Sequence, residues 1–172
     1  YCLDDSYVED LEKLSNPALL LIGIFYRGER LDRISHSKES LTAFKDSLDF
    51  ANEFGFESFE PILRIRIAEQ LVKLNSLDIA KFFIIGIEDL IKELETKKAQ
   101  PLSFEQTPEY ALLNLVQARL ELLRGENDKV ESHLGKALNW YETANDCKGT
   151  VRAKLRLSKF MFESNRKEYA LE

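Results

Sequence analysis

The predicted fold is decided by residues 108–138, which read PEYALLNLVQARLELLRGENDKVESHLGKAL. Apolar residues crowd the first half of this stretch, and a tight turn at 124–126, centred on Gly125, follows. The second half repeats apolar residues at the i, i+4, i+7, i+8 spacing of a buried helical stripe. These residues are Val130, Leu134, Ala137 and Leu138. The stretch therefore predicts two amphipathic helices joined into a hairpin.

The hairpin pattern recurs along the chain. The first helix of each predicted hairpin carries a small residue that faces its partner: Gly28, Ala68, Ala118 and Ser158. Twelve residues later comes the matching position of the second helix: Ser40, Ala80, Val130 and Ala170. The intervals between repeats are 40, 50 and 40 residues, and a polar connector at 97–106 accounts for the longer one. This register favours an array of stacked hairpins over an ordinary helical bundle, which stays the alternative.

These positions resemble the tetratricopeptide repeat (TPR), in which small residues stand at the eighth and twentieth positions and a large one at the twenty-fourth. The best match runs from Ala118 through Gly125 to Leu138, and the resemblance covers residues 16–172. It implies an all-α, right-handed α-solenoid of antiparallel hairpins with about three and a half repeats. The 40-residue interval exceeds the common 34 and indicates a longer-repeat variety of the family. Val130 departs from the usual alanine, and the usual aromatic residue of the first helix is absent.

Helix start and stop signals give the expected organisation. Residues 1–15 form an acidic leading segment or short helix, and residues 16–172 form the repeat domain. The predicted hairpins span about 16–55, 58–96, 107–146 and 150–172, the last one truncated, with a loop at 97–106. Single helices are predicted at 78–96 and at 150–164, the second ending before a turn at 165–166. Because the chain begins at Tyr1 and its one methionine is Met161, we expect a fragment of a larger protein.

Composition excludes several classes of function. The 172 residues are 44% apolar and 31% charged, as in a soluble globular chain. A net charge of −6 disfavours direct nucleic-acid binding, which requires a basic surface. The longest apolar run, residues 18–26, is too short to cross a bilayer, so no membrane association is expected. With only Cys2 and Cys147, the sequence predicts an intracellular, cytoplasmic protein, with the nucleus as a second location.

No catalytic constellation is visible in the sequence. His36 falls in a predicted turn and His133 on a predicted helix, and neither has a second His or a Cys at metal-ligand spacing. For both, a solvated or capping role is expected. Cys147 lacks an identifiable base and is expected to be a free thiol. Phosphate-binding glycine loops are absent from the sequence. We therefore expect no enzyme activity, no cofactor and no metal.

The resemblance to the TPR family implies a concave groove lined by the first helix of each hairpin. Carried over position by position, the groove residues are Phe25, Glu29, Ile65, Glu69, Leu115, Arg119, Arg152 and Lys159. Such a groove would be acidic toward one end and basic toward the other, above an apolar floor, and would suit an extended or helical peptide. The apolar members could equally be core residues. The family's carboxylate clamp requires Lys and Asn in the groove, and this sequence lacks that combination.

The predicted function is therefore a non-catalytic scaffold module that binds a protein or peptide. The alternative is the sensory or regulatory arm of a signalling protein, such as a bacterial transcription activator of the maltose type, which would bind a small ligand or peptide. The truncated last hairpin would leave Phe160, Phe162 and Leu171 exposed unless a continuing parent chain, a cap or a second copy covers them. We favour a continuing parent chain, and self-association through that hairpin stays an alternative.

Overall fold

Every element that the computed structural model describes is helical. The described residues are 16–96 and 104–169, and they contain no β-strand. The expected all-α class is thus confirmed for this part of the chain, and neighbouring helices pack against one another. The predicted leading segment at 1–15 lies outside the described residues. The chain divides into two compact units, Tyr1–Lys98 and Ala99–Glu172, which are described separately and called unit 1 and unit 2.

Unit 1 begins at a capped helix. The Asn16 side chain accepts hydrogen bonds from the backbone N–H groups of Ala18 and Leu19 at 3.1 and 3.3 Å, and Pro17 needs no partner at the first helical position. The helices are α1 (Pro17–Arg33), α2 (Ser37–Glu53), α3 (Glu60–Lys73), α4 (Leu77–Ile84) and α5 (Ile87–Thr96). Helix α1 packs against α2, α2 against α3 and α3 against α4, and α3 also contacts α5.

Unit 2 contains three described helices, α6 (Pro108–Arg124), α7 (Val130–Thr143) and α8 (Cys147–Tyr169). Short 3₁₀ turns precede α6 and α7, at Phe104–Gln106 and Asn127–Lys129. Gly125 ends α6 in the left-handed conformation, with φ 78° and ψ 12°, which glycine adopts without steric cost. Helix α7 packs against both α6 and α8. The hairpin read from residues 108–138 is therefore present.

Two predicted helices have other bounds in the structure. The helix expected at 78–96 is broken between Ile84 and Ile87, where Ile85 has an extended backbone and Gly86 has φ 78°. The helix expected at 150–164 instead continues through the predicted turn at 165–166 to Tyr169. Neither glycine nor proline follows Gly149, and Arg166 favours helix, so the local sequence does not force a stop. Residues 170–172 lie outside the described part.

The two units share one internal register. Positive φ angles occur at Ser35 and Gly55 in unit 1 and at Gly125 and Asn145 in unit 2, so the corresponding turns are 90 residues apart. The same offset relates buried positions of the two units, such as Phe44 to Leu134 and Ser47 to Ala137. The 90-residue offset equals one 40-residue and one 50-residue interval of the repeat pattern. Turns and several buried positions of unit 1 therefore recur 90 residues later in unit 2.

Small residues at the repeat positions allow the paired helices to approach closely. A Cβ atom added to Gly28 would lie 2.7 Å from the ring of Phe44, which is fully buried. The Ser40 hydroxyl donates a 2.9 Å hydrogen bond to the Gly28 carbonyl and ties α2 to α1. In unit 2 the equivalent residues are Ala118 and Val130, and both are buried. Ser158, which occupies the same position on α8, is exposed because no described helix packs against it.

Candidate functional site

In unit 1 the predicted groove residues are largely used for internal contacts. Ile65 is fully buried in the core, and the Phe25 ring packs against Phe44 with centroids 5.7 Å apart. Glu29 and Glu69 both form ion pairs with Arg66, each at 2.9 Å. These four predicted residues therefore contribute to packing and charge pairing between α1, α2 and α3.

The charges of unit 1 form a partly buried network centred on Arg66, whose side chain is only 19% exposed. Lys73 extends the network, since it donates a hydrogen bond to Asp32 and lies 3.9 Å from Glu69. Burial alone would raise the pKa of Asp32, but the hydrogen bond from Lys73 and the nearby positive charges outweigh burial and hold that pKa below its ordinary value. The network links α1 to α3 and leaves each carboxylate beside a cation.

Unit 2 has an open cavity of about 230 Å³ where α6, α7 and α8 meet. Its floor is apolar and its rim is charged. The apolar lining residues are Leu115, Ala118, Leu122, Val130, Leu134 and Phe160, and the charged ones are Arg119, Arg156, Lys159 and Glu163. The cavity is the strongest candidate binding site among the described residues, because it combines a concave apolar surface with converging charges.

Three of the four groove residues predicted in unit 2 lie together at this cavity: Leu115, Arg119 and Lys159. Arg152, the fourth, is exposed on α8 and is not part of the cavity lining. Sequence reasoning missed Arg156, which lines the cavity and donates a 3.5 Å hydrogen bond to the Leu115 carbonyl. Its spacing could have revealed it, because Arg156 precedes Lys159 by three residues and so shares its helix face.

His133 has a structural environment that the sequence did not predict. Its ring is partly buried between α6 and α7, with Nδ1 2.8 Å from the Asn114 side-chain oxygen and Nε2 3.5 Å from Glu121. The expected solvated or capping role is therefore wrong for His133. Burial lowers the pKa of His133; the Glu121 carboxylate opposes this shift and the Lys136 charge adds to it.

Some apolar side chains remain on the surface. In unit 1, Ile79, Phe82 and Ile85 are exposed around α4, with Phe82 69% exposed. In unit 2, Phe162 is exposed as expected, whereas Phe160 is buried and forms part of the cavity floor. Leu171 lies outside the described residues. Partial packing of α8 on α7 thus covers Phe160, which the truncated-hairpin prediction left exposed.

The part of the chain that the structure describes contains neither a candidate metal cluster nor a helix that could span a membrane. No group of three or more His, Cys, Asp or Glu side chains there is arranged to hold a metal ion. None of the helices within residues 16–96 and 104–169 is long and apolar enough to cross a membrane. In comparisons with known proteins, no family model, no curated protein and no solved structure matches the chain.

Proposed function

We propose that the chain is a non-catalytic module that binds a protein or peptide, built from antiparallel helix hairpins of the TPR type in a right-handed α-solenoid. The 90-residue register shared by the two units supports the repeat interpretation. The exposed free thiol of Cys147 fits a reducing compartment, and we place the protein in the cytoplasm.

The observation that carries the proposal is the cavity of unit 2. Its volume of about 230 Å³ is below the roughly 300–1,000 Å³ typical of small-molecule pockets. A cavity of this size fits one or two side chains of a larger ligand rather than a complete drug-sized molecule. An apolar anchor on a peptide can fill the floor while the charged rim orients the backbone. At this cavity, binding of a peptide is therefore favoured over binding of a small ligand.

A peptide-display selection on the immobilised full chain tests this function. We expect enriched peptides whose affinity falls several-fold in a Leu122→Asn variant, because a polar amide would then stand in the apolar lining. Leu155→Asn is the matched control, since Leu155 is exposed on α8 outside the cavity. Failure to enrich any peptide would refute the peptide-binding function, and a small-molecule thermal-shift screen would then test the sensory alternative.

A further inference from the structure

The cavity of unit 2 corresponds in register to the ion-pair network of unit 1. The 90-residue offset relates Arg66 to Arg156, Glu29 to Arg119 and Glu69 to Lys159. In unit 1 the guanidinium of Arg66 has a carboxylate at 2.9 Å on each side. In unit 2 both of those positions carry cations. The central arginine is kept, while the charges of its two neighbours are inverted.

This inversion gives the cavity a local positive excess. Among the described residues, the charged side chains that line it are those of Arg119, Arg156 and Lys159 with one carboxylate, Glu163, in a chain whose net charge is −6. Glu163 lies 3.8 Å from Lys159 at the exposed edge, where the Lys159 side chain is 75% exposed. Such an exposed pair contributes little and is screened by salt. Like charges that converge on a concave surface favour an incoming anion.

The apolar floor restricts what kind of anion fits. Liquid water occupies about 30 Å³ per molecule, so the cavity of about 230 Å³ corresponds to the volume of roughly eight waters. That space suits one apolar side chain placed against Leu115, Leu134 and Phe160. A bare inorganic anion would leave the floor wet, whereas an apolar side chain beside a carboxylate satisfies both parts of the cavity.

We propose that this cavity recognises an Asp or Glu side chain carried next to a large apolar residue on a peptide, the carboxylate being bound among Arg119, Arg156 and Lys159. The inference rests on the proposed peptide-binding function and adds to it the chemistry that is recognised. The peptide carboxylate takes the place that the Glu29 and Glu69 carboxylates hold beside Arg66 in unit 1.

The test uses display-selected peptides resynthesised with acetylated N-termini and amidated C-termini, so that only side-chain carboxylates can act. Each is measured by fluorescence anisotropy against the full chain and against Arg119→Glu, Lys159→Glu and Lys148→Glu variants. Lys148→Glu is the matched control, because it makes the same charge change at an exposed position of α8 away from the cavity. Two further peptides are measured in the same way: one in which the Asp or Glu is replaced by Asn or Gln, and one in which it is replaced by Lys.

We expect enriched peptides to carry Asp or Glu within two residues of Leu, Ile or Phe. Affinity should fall about tenfold or more with Arg119→Glu or with the peptide amide, and less than about twofold with Lys148→Glu. A peptide in which Lys replaces the acidic residue should bind the Arg119→Glu variant with most of the affinity that the acidic peptide has for the unchanged protein. Such binding would also show that the Arg119→Glu variant is folded.

Three outcomes would overturn part of the argument, and they are distinguishable. Enriched peptides without acidic residues would contradict the carboxylate proposal but would still support the peptide-binding function. The same follows if Arg119→Glu and Lys159→Glu bind acidic peptides as well as Lys148→Glu does. A selection that enriches nothing rejects the proposed function itself, together with the inference built on it.

Discussion

Units 1 and 2 share a helical register, but three equivalent positions differ in how their charges are arranged. In unit 1 the side chains of Glu29, Arg66 and Glu69 alternate in sign and close the space between α1 and α3 with ion pairs. In unit 2 the equivalent side chains, Arg119, Arg156 and Lys159, share one sign and surround an open cavity. The comparison teaches that two equivalent positions with opposite charge can separate an internal ion-pair network from the charged rim of a cavity, while the turns and buried positions around them stay in the same register.

The largest effect is expected from giving unit 1 the charges of unit 2. Glu29→Arg combined with Glu69→Lys removes both carboxylates from the partly buried Arg66 and places like charges beside it. Breaking a buried pair costs about 3–5 kcal/mol, and partial exposure reduces the expected loss to roughly 2–3 kcal/mol. Urea unfolding, with hydrogen exchange to localise the loss to α1 and α3, measures it.

The mirror-image exchange in unit 2 is the control for that experiment. Arg119→Glu with Lys159→Glu should leave stability unchanged or raise it slightly, because Arg156 would gain carboxylates on both sides. If both double variants lose stability equally, the proposed electrostatic difference between the units is wrong.

Steric packing at the start of α8 provides the next test. A Cβ atom on Gly149 would lie 2.1–2.6 Å from three ring atoms of Tyr141, and Gly149 is buried. These distances are far below van der Waals contact, so the upper end of the overpacking cost of about 1–3 kcal/mol applies. Gly→Ala in a helix gains about 1 kcal/mol, so Gly149→Ala should lose about 2 kcal/mol net. Gly135→Ala is the matched control, since nothing lies within 4 Å of its added Cβ, and it should be stabilising in the same urea titration.

A smaller loss of stability is expected when one pair of packed residues in unit 1 is replaced by the equivalent pair of unit 2. Gly28 and Phe44 of unit 1 correspond to Ala118 and Leu134 of unit 2. Gly28→Ala and Phe44→Leu should each destabilise by about 1 kcal/mol, the first by overpacking and the second by leaving a void. The double variant should lose at least about 0.5 kcal/mol less than the two single losses added together. Strict additivity in a thermodynamic cycle would show that the two positions do not pack as a pair.

The smallest expected effect is a difference in acid sensitivity. The pKa of His133 is lowered on folding, so the unfolded chain binds the proton more readily. Stability of unit 2 should therefore fall as pH drops below the unfolded histidine value of about 6.5. The pKa of Asp32 is also lowered, but its contribution is lost only below about pH 3.9.

Measuring hydrogen exchange between pH 7.5 and pH 5 separates the effect of His133 from that of Asp32, because only the histidine titrates in this pH range. Over this range protection should decrease in α6 and α7, and His133→Gln should remove the pH-dependent part of the decrease. A loss of protection that is equal in both units, or unaffected by His133→Gln, would assign the acid response to other groups.

Sequence reasoning predicted the helical class and many repeat positions because both depend on local information. The buried stripe within 108–138 follows the helical period, which can be read from the spacing of apolar residues. The small residues Gly28, Ala68 and Ala118 stand where paired helices approach closely. Helix ends were less predictable. The helix breaks at Gly86 because this glycine adopts the left-handed conformation, which its presence in the sequence permits but does not require. Helix α8 continues past Asn165, so the polar pair at 165–166 does not by itself end a helix.

The candidate site was only partly predictable for a related reason. Position in the repeat predicted Arg119, Arg152 and Lys159 as groove residues; the structure places Arg119 and Lys159 at the cavity, leaves Arg152 outside it, and adds Arg156. Which side of α8 lines a cavity depends on how α6 and α7 pack against it. Ile65 illustrates the same limit, because a residue on the predicted groove face is fully buried once its neighbours are in place.

The sequence by itself determined the helices, their small-residue register and the sign of each charge, since these follow from residue type and from spacing within a few turns. Only the tertiary structure decided which of those charges form ion pairs between α1 and α3 and which line a cavity. Arg66 and Glu29 are 37 residues apart in the chain, and their 2.9 Å contact exists because α3 returns beside α1. Coulomb energy depends on that final separation and on burial, neither of which local sequence specifies.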